Sequence, residues 1–198
     1  MMKKQFLIDI DGVTLLWTSG FEKYIKHKRG IDLRSSPDQF YKVEKVLNIS
    51  HKEAHELILD FHESEYFRHL PPFRDALKYI PKMKNEGWNF TAITAAGISE
   101  KIRENRIFNL KKYFGNSITD LILVDPDTTK LDKLQMFEPS YWIDDSPRHV
   151  LAGIEAGHTS FHMSRKHHED DVRLNHPDII PVDNWAEVYN YVDSKTNR

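Results

Sequence analysis

Two aspartates, Asp9 and Asp11, close the apolar run "FLIDIDG" near the start of the chain, and two more, Asp144 and Asp145, close the run "YWIDD" far downstream. Apolar runs of this length read as buried strands. A carboxylate at the end of a buried strand is costly unless it is paired or bound to a cation. Two such pairs point to a site. In an open parallel sheet, ligands bind outside the carboxyl ends of the strands, so residues ending other apolar runs fall at the same crevice. The run "FTAIT" ends in Thr94, and Lys130 follows "DLILV" near the start of a helical pattern carrying Leu131, Leu134 and Phe137.

Four carboxylates, a hydroxyl and a lysine suit phosphoryl transfer through a carboxylate. Attack of one anion on another needs their repulsion offset. Mg²⁺ does this with hard oxygen ligands, taking one or two carboxylates together with phosphate and water. The lysine adds fixed positive charge and the threonine a hydrogen bond to the equatorial oxygens. A second carboxylate two residues after the nucleophile can protonate the leaving alcohol and later deprotonate the attacking water. Asp9 and Asp11 then have different tasks, and Gly12 lets the backbone turn sharply beside the phosphate.

The elements that must position these residues alternate. The apolar runs Phe6–Ile10, Phe90–Thr94, Asp120–Val124, Tyr141–Asp144 and Thr159–Met163 read as parallel strands. Helical patterns separate them, as in "SPRHVLAGIEAG", where Ser146 is the expected N-cap, Pro147 the first helical residue and Gly157 the terminator. The expected fold is an α/β three-layer αβα sandwich with a central parallel sheet. Residues 15–70 break the pattern and read as helices around Phe21–Lys28, Asp38–Leu47 and Lys52–Glu65, the last opened by a capping box of Ser50 and Glu53. This divides the chain into a core of residues 1–14 and 71–198 and a small α-helical cap of residues 15–70 inserted after the first strand. Past the rigid return "LPPF", a helix over about Phe73–Glu86 contains Pro81, expected to kink it, and ends at Gly87. The tail carries "IIPV" and a final helix opening near Asp183 or Asn184.

Composition narrows the classes. With 198 residues the chain can bury one sizeable core. Lys and Arg number 28 against 30 Asp and Glu, a net charge of −2 that gives no argument for a nucleic-acid or anionic-membrane partner. There is no cysteine, which excludes disulfides, thiolate catalysis and cysteine metal sites. The first apolar run breaks at Asp9, too short for a signal peptide or a membrane span, so a soluble cytoplasmic protein is expected. "RKHHEDD" (Arg165–Asp171) pairs histidines with acids. Adjacent residues do not share a helix face, however, and a solvated loop is the expectation rather than a zinc site. Trp17, Phe21, Tyr24, Phe40 and Tyr41 are expected to form the insertion's own core, with Trp17 the best placed to face a substrate.

In order and spacing, "DIDGV", "ITAAG", the lysine of "TTKLDKL" and "WIDDSPRHVLAGIEAGH" resemble the four motifs of the haloacid-dehalogenase superfamily, over roughly residues 5–14 and 71–163. The resemblance implies Asp9 as nucleophile and Mg²⁺ ligand, and Asp11 as general acid/base and backbone-carbonyl ligand. It implies Thr94 and Ala95 as phosphate-binding residues. Asp144 and Asp145 would hold the metal, with Asp144 the expected direct ligand. The phosphate-binding lysine is Lys130 or Lys133, with Lys130 preferred as closer to the strand end. Asp at position 11 favours a phosphohydrolase over a dehalogenase. "DxDGV", a helical insertion after the first strand and "IDD" are further similar to the 5′(3′)-deoxyribonucleotidases. The implied substrate is therefore a small phosphomonoester, with a (deoxy)nucleoside monophosphate leading. Two rival readings stay open: a polynucleotide end phosphatase, for which "KYIKHKRG" (Lys23–Gly30) is the only basic run, and a catalytically idle binding protein. Oligomeric state is not legible.

Overall fold

The computed structural model describes residues 4–33, 43–164 and 171–196. Among the described residues are six strands: β1 (Gln5–Ile8), β2 (Asn89–Thr94), β3 (Ile118–Leu123), β4 (Tyr141–Asp144), β5 (Thr159–Met163) and β6 (Ile180–Val182). They form one sheet in the order β3-β2-β1-β4-β5-β6, every neighbouring pair parallel. The helices are α1 (Trp17–Arg29), α2 (Val43–Val46), α3 (His51–His62), α4 (Glu65–Arg68), α5 (Arg74–Asn85), α6 (Glu100–Phe114), α7 (Leu131–Leu134), α8 (Pro147–Glu155) and α9 (Trp185–Thr196).

The sheet is covered on both faces, which is why its strands read as continuous apolar runs. Phe6 and Ile8 of β1 share one cluster with Phe90, Ile143 and Phe161 and with Ile80 of α5, Leu110 of α6 and Trp185 of α9. Leu7, between them, points the other way into a second cluster with Ile93, Trp142, Leu134 of α7 and Ala152 of α8. The period-two alternation of β1 thus assigns α5, α6 and α9 to one layer and α7 and α8 to the other. The expected three-layer architecture is present.

The five expected strands all occur, and a sixth joins them. "IIPV" supplies β6, which pairs only with β5 at the sheet edge. Pro181 has no N–H to give a ladder and is tolerated there because one side of an edge strand is unpaired. The pattern expected as one helix over Lys52–Glu65 is two. Its capping box forms as read, with Glu53 N donating to Ser50 Oγ at 3.2 Å and Ser50 N to Glu53 Oε2 at 2.9 Å. α3 then stops at His62, and Ser64 restarts the chain as the N-cap of α4, accepting from Phe67 N. α5 runs uninterrupted from Arg74 to Asn85 with Pro81 inside it. Of the helix expected over Asp38–Leu47, the described part is α2; Phe40, Tyr41 and residues 165–170 of "RKHHEDD" lie outside the described residues.

Helices α1 to α4 all fall between β1 and β2. The chain leaves and re-enters the sheet region through paired backbone, Leu16 N donating to Pro71 O at 2.8 Å and Phe73 N to Thr14 O at 2.9 Å. Trp17, Phe21, Tyr24 and Phe61 pack ring against ring within these helices, with Trp17 stacked on Phe21 at 4.7 Å. Among the described residues no helix is long and apolar enough to cross a membrane.

Candidate active site

The carboxyl ends of β1, β2 and β4 meet the loop after β3 around one cavity of about 220 Å³, lined by Asp9, Asp11, Thr94, Ala95, Lys130, Asp144 and Asp145. All seven residues singled out in the sequence are therefore brought together. Lys130, not Lys133, reaches the carboxylates. Its Nζ donates to Asp9 Oδ1 at 2.5 Å and to Asp144 Oδ2 at 2.7 Å. Lys130, Asp9, Asp144 and Asp145 are each at most 4% exposed.

Local chemistry explains how the loops hold this geometry. After β1 the chain folds back on itself, Thr14 N and Leu15 N both donating to Ile10 O. Gly12 sits in this turn at φ +75°, and a Cβ there would lie 2.0 Å from Asp145 Oδ2. Gly12 is needed for the left-handed backbone and also for the close approach of a carboxylate. Ser146 adopts the extended backbone of an N-cap, yet its side chain caps nothing in α8. Its backbone N–H instead donates to Asp144 Oδ1 at 2.8 Å. Both oxygens of Asp144 are thereby engaged by protein donors.

Burial dominates the electrostatics. It pushes Asp9 well above the ordinary carboxylate range, opposed by Lys130 and reinforced by Asp144, Asp145 and Asp11. Burial raises Asp144 to about 6, again against Lys130. For Lys130 burial acts downward, but Asp144 and Asp9 outweigh it and leave the ammonium harder to deprotonate than usual. Asp11 is raised by burial while Arg106 opposes. The cavity thus concentrates more negative charge than its one lysine neutralises. Asp9, Asp144 and Asp145 can each bring an oxygen within 4.8 Å of the others. A close set of hard oxygen donors with surplus negative charge fits Mg²⁺.

Further residues to which no motif points join the site. Arg106 of α6 is fully buried, pairs with Asp11 Oδ2 and lies over the Phe67 ring at 3.8 Å. Its signal was present in the sequence: Arg106 falls midway between Ile102 and Leu110 on the apolar stripe of α6, where a solvated arginine has no place. Asn105 and Asn109 flank it on the same buried side and donate to His62 O and Arg68 O, tying α3 and α4 to α6. His62 closes the cavity from α3. Trp17 Nε1 donates to its Nε2 at 2.8 Å and its Nδ1 meets Ala96 O at 2.7 Å, so Nδ1 carries the proton. Burial, with help from Arg106, lowers His62 to about 3 and keeps it neutral. His149 of α8 also lines the cavity. Trp17 stands in the wall as expected, with Val43, Ile58 and Pro126 beside it. In the basic run Lys23–Gly30, Lys26 pairs with Asp32 and Lys28 with Asp60, so part of its charge is already answered within the chain.

This six-stranded parallel fold with helices on both faces is also that of solved proteins described as haloacid-dehalogenase-like hydrolases and phosphatases. A predicted phosphatase from Clostridium acetobutylicum superposes with a TM-score of 0.70 at 14% identity, covering 98% of this chain and 100% of that one. The HAD-hydrolase YfnB from Bacillus subtilis, solved bound to magnesium, gives 0.66 at 13% identity with 98% and 100% covered. The L-2-haloacid dehalogenase PA0810 gives 0.61 at 12% identity with 96% and 99% covered. In sequence, the chain is 32% identical over 157 residues to an uncharacterized 32.4 kDa protein of the Gp30-rIII intergenic region of Enterobacteria phage T4. That match covers 75% of this chain and 56% of the phage protein, so the chain spans little more than half its relative's length. No protein-family model matches the chain.

Proposed function

We propose that this protein is a Mg²⁺-dependent cytoplasmic phosphohydrolase that cleaves a small phosphomonoester, with a (deoxy)nucleoside monophosphate as the leading substrate. One observation carries the reading. Asp9 and Asp11 line one cavity together with Lys130, Asp144, Asp145 and Thr94, whose buried Oγ1 has no partner among the described residues.

In this reading Asp9 Oδ attacks phosphorus, and the bond from phosphorus to the leaving oxygen breaks. Asp11, whose burial favours the protonated form, gives its proton to that oxygen. Water then adds to the phosphorus of the aspartyl phosphate while Asp11 takes back a proton, releasing phosphate and restoring Asp9. Lys130 and Thr94 bind the phosphoryl oxygens, with the backbone at Ala95 beside them. Asp9, Asp144, Asp145 and the backbone carbonyl of Asp11 would hold the cation, which when bound supplies the charge that lets the two anions meet. The helical segment 15–70 acts as a cap whose Trp17, Val43, Ile58 and His62 wall the cavity against bulk water and meet the leaving group. The apolar character of that wall suits a nucleoside better than a sugar or a second phosphate. Asp11 is what argues for hydrolysis of phosphate rather than of carbon–halogen bonds.

The test is phosphate release with Mg²⁺ from a panel of ribo- and deoxynucleoside monophosphates, sugar phosphates, a 3′-phosphorylated oligonucleotide and an aryl phosphate, beside Asp9→Asn. Turnover of deoxynucleoside monophosphates, abolished by Asp9→Asn without a lower melting temperature, is the expected result. Turnover of another class would retain the chemistry and discard the nucleotide. No turnover of any ester would discard both.

A further inference from the structure

Four histidines are buried among the described residues: His62, His149, His158 and His162. Three have evident reasons to be there. His62 bonds through both ring nitrogens to Trp17 and Ala96. His158 does the same, its Nδ1 accepting from Ser140 N and its Nε2 meeting Leu134 O at 3.0 Å. His162 Nε2 lies 3.0 Å from Asp145 O. His149 differs. It is 8% exposed, its Nδ1 is sealed from solvent, and that atom has no hydrogen-bond partner among the described residues. A buried polar atom left unsatisfied is destabilising, and natural proteins keep few of them.

Two other cavity-lining residues share this condition, Asp11 through Oδ1 and Thr94 through Oγ1. Three residues that line one cavity thus each carry a buried polar atom unanswered among the described residues, which one polar occupant would answer. His149 sits on the first turn of α8, just beyond Asp144 and Asp145, rather than on the helices that carry Trp17, Val43 and Ile58. We propose that His149 is a phosphoryl-binding residue, its imidazole donating a hydrogen bond through Nδ1 to a non-bridging oxygen of the substrate's phosphate. The inference rests on the phosphohydrolase reading above for the identity of the occupant. His149 and Lys130 line the same cavity, and burial followed by the charge of Lys130 holds the imidazole neutral. A neutral imidazole still has one N–H to give. It adds a donor without adding a charge.

The experiment measures orthophosphate binding by calorimetry with Mg²⁺ present, alongside turnover of an aryl phosphate and of a deoxynucleoside monophosphate. The proteins are wild type, His149→Leu and His149→Asn, the asparagine amide being able to reach the place of Nδ1. His149→Leu is expected to weaken orthophosphate about tenfold, as for loss of one hydrogen bond, while its melting temperature does not fall. His149→Asn is expected to stay within about threefold of wild type. Turnover of both esters should drop by a similar factor in His149→Leu, because the phosphoryl group is common to them. Unchanged orthophosphate affinity in His149→Leu overturns the proposal, as does equal loss in His149→Asn. A loss confined to one ester overturns it in favour of a leaving-group contact, and wild type that binds no orthophosphate overturns it outright. Wild type that binds orthophosphate through His149 yet turns over no ester would retain this site and discard the phosphohydrolase reading.

Discussion

Replacing Lys130 with methionine tests the electrostatic core of the site most directly. Lys130 Nζ lies 2.5 Å from Asp9 Oδ1 and 2.7 Å from Asp144 Oδ2, and all three side chains are buried. At an effective dielectric of about 20, each contact represents roughly 6 kcal/mol of gross attraction. Desolvating the ammonium offsets much of this. Methionine fills the volume but leaves two buried carboxylates facing each other with no counter-charge, a situation that costs about 3–5 kcal/mol. For a chain of this size that is a fall in melting temperature of roughly 6–20 °C. The loss depends on pH. Acids whose folded pKa is raised are least disturbed when protonated, and their penalty develops as pH rises through the folded value, about 6 for Asp144. Removing Lys130 raises those values further. The deficit should therefore be full at pH 8 and fall below about 2 kcal/mol at pH 5. Urea unfolding of wild type, Lys130→Met and Lys133→Met, with a chelator present, measures it. Lys133→Met should stay within about 0.5 kcal/mol of wild type at both pH values. A Lys130→Met protein as stable as wild type at pH 8, or equally weakened at both, would refute the counter-ion argument.

Three other outcomes are expected. Mg²⁺ at a hundredfold over its dissociation constant should stabilise wild type by about 2.7 kcal/mol, roughly 5–11 °C in melting temperature. Asp145→Asn should lose most of that shift, and a wild-type melting temperature indifferent to Mg²⁺ would contradict the metal assignment. Gly12→Ala forces a Cβ to within 2.0 Å of Asp145 Oδ2 at φ +75°; thermal unfolding should show a loss of about 2 kcal/mol or more, and turnover should vanish with it. For His62, lowered to about 3 in the fold, the stability it contributes is complete above its unfolded value near 6.5 and is lost as pH falls toward 3. Replacing it with glutamine should flatten the stability–pH slope between those limits by up to about 1.4 kcal/mol per pH unit relative to wild type, and parallel curves would show that His62 titrates normally.

The sequence by itself determined whatever depends on neighbours along the chain. β1 is legible because an apolar run that must be covered on both faces has no polar interruption until Asp9. The Ser50–Glu53 box is legible because capping joins residues three apart. The convergence of Asp9, Thr94, Lys130 and Asp144 was legible too, since a parallel sheet carries all its strand ends to one side. Tertiary structure decided the rest. It chose Lys130 over Lys133, because only the residue at the start of α7 reaches between Asp9 and Asp144. It turned Ser146 from a side-chain cap into a backbone donor for Asp144. It brought Arg106 to Asp11 across 95 residues, His62 to Ala96 across 34, and left His149 Nδ1 without a partner among the described residues. No local spacing encodes those contacts; they arise when the faces of α3, α6 and α8 are buried together and their polar groups must find partners or wait for one.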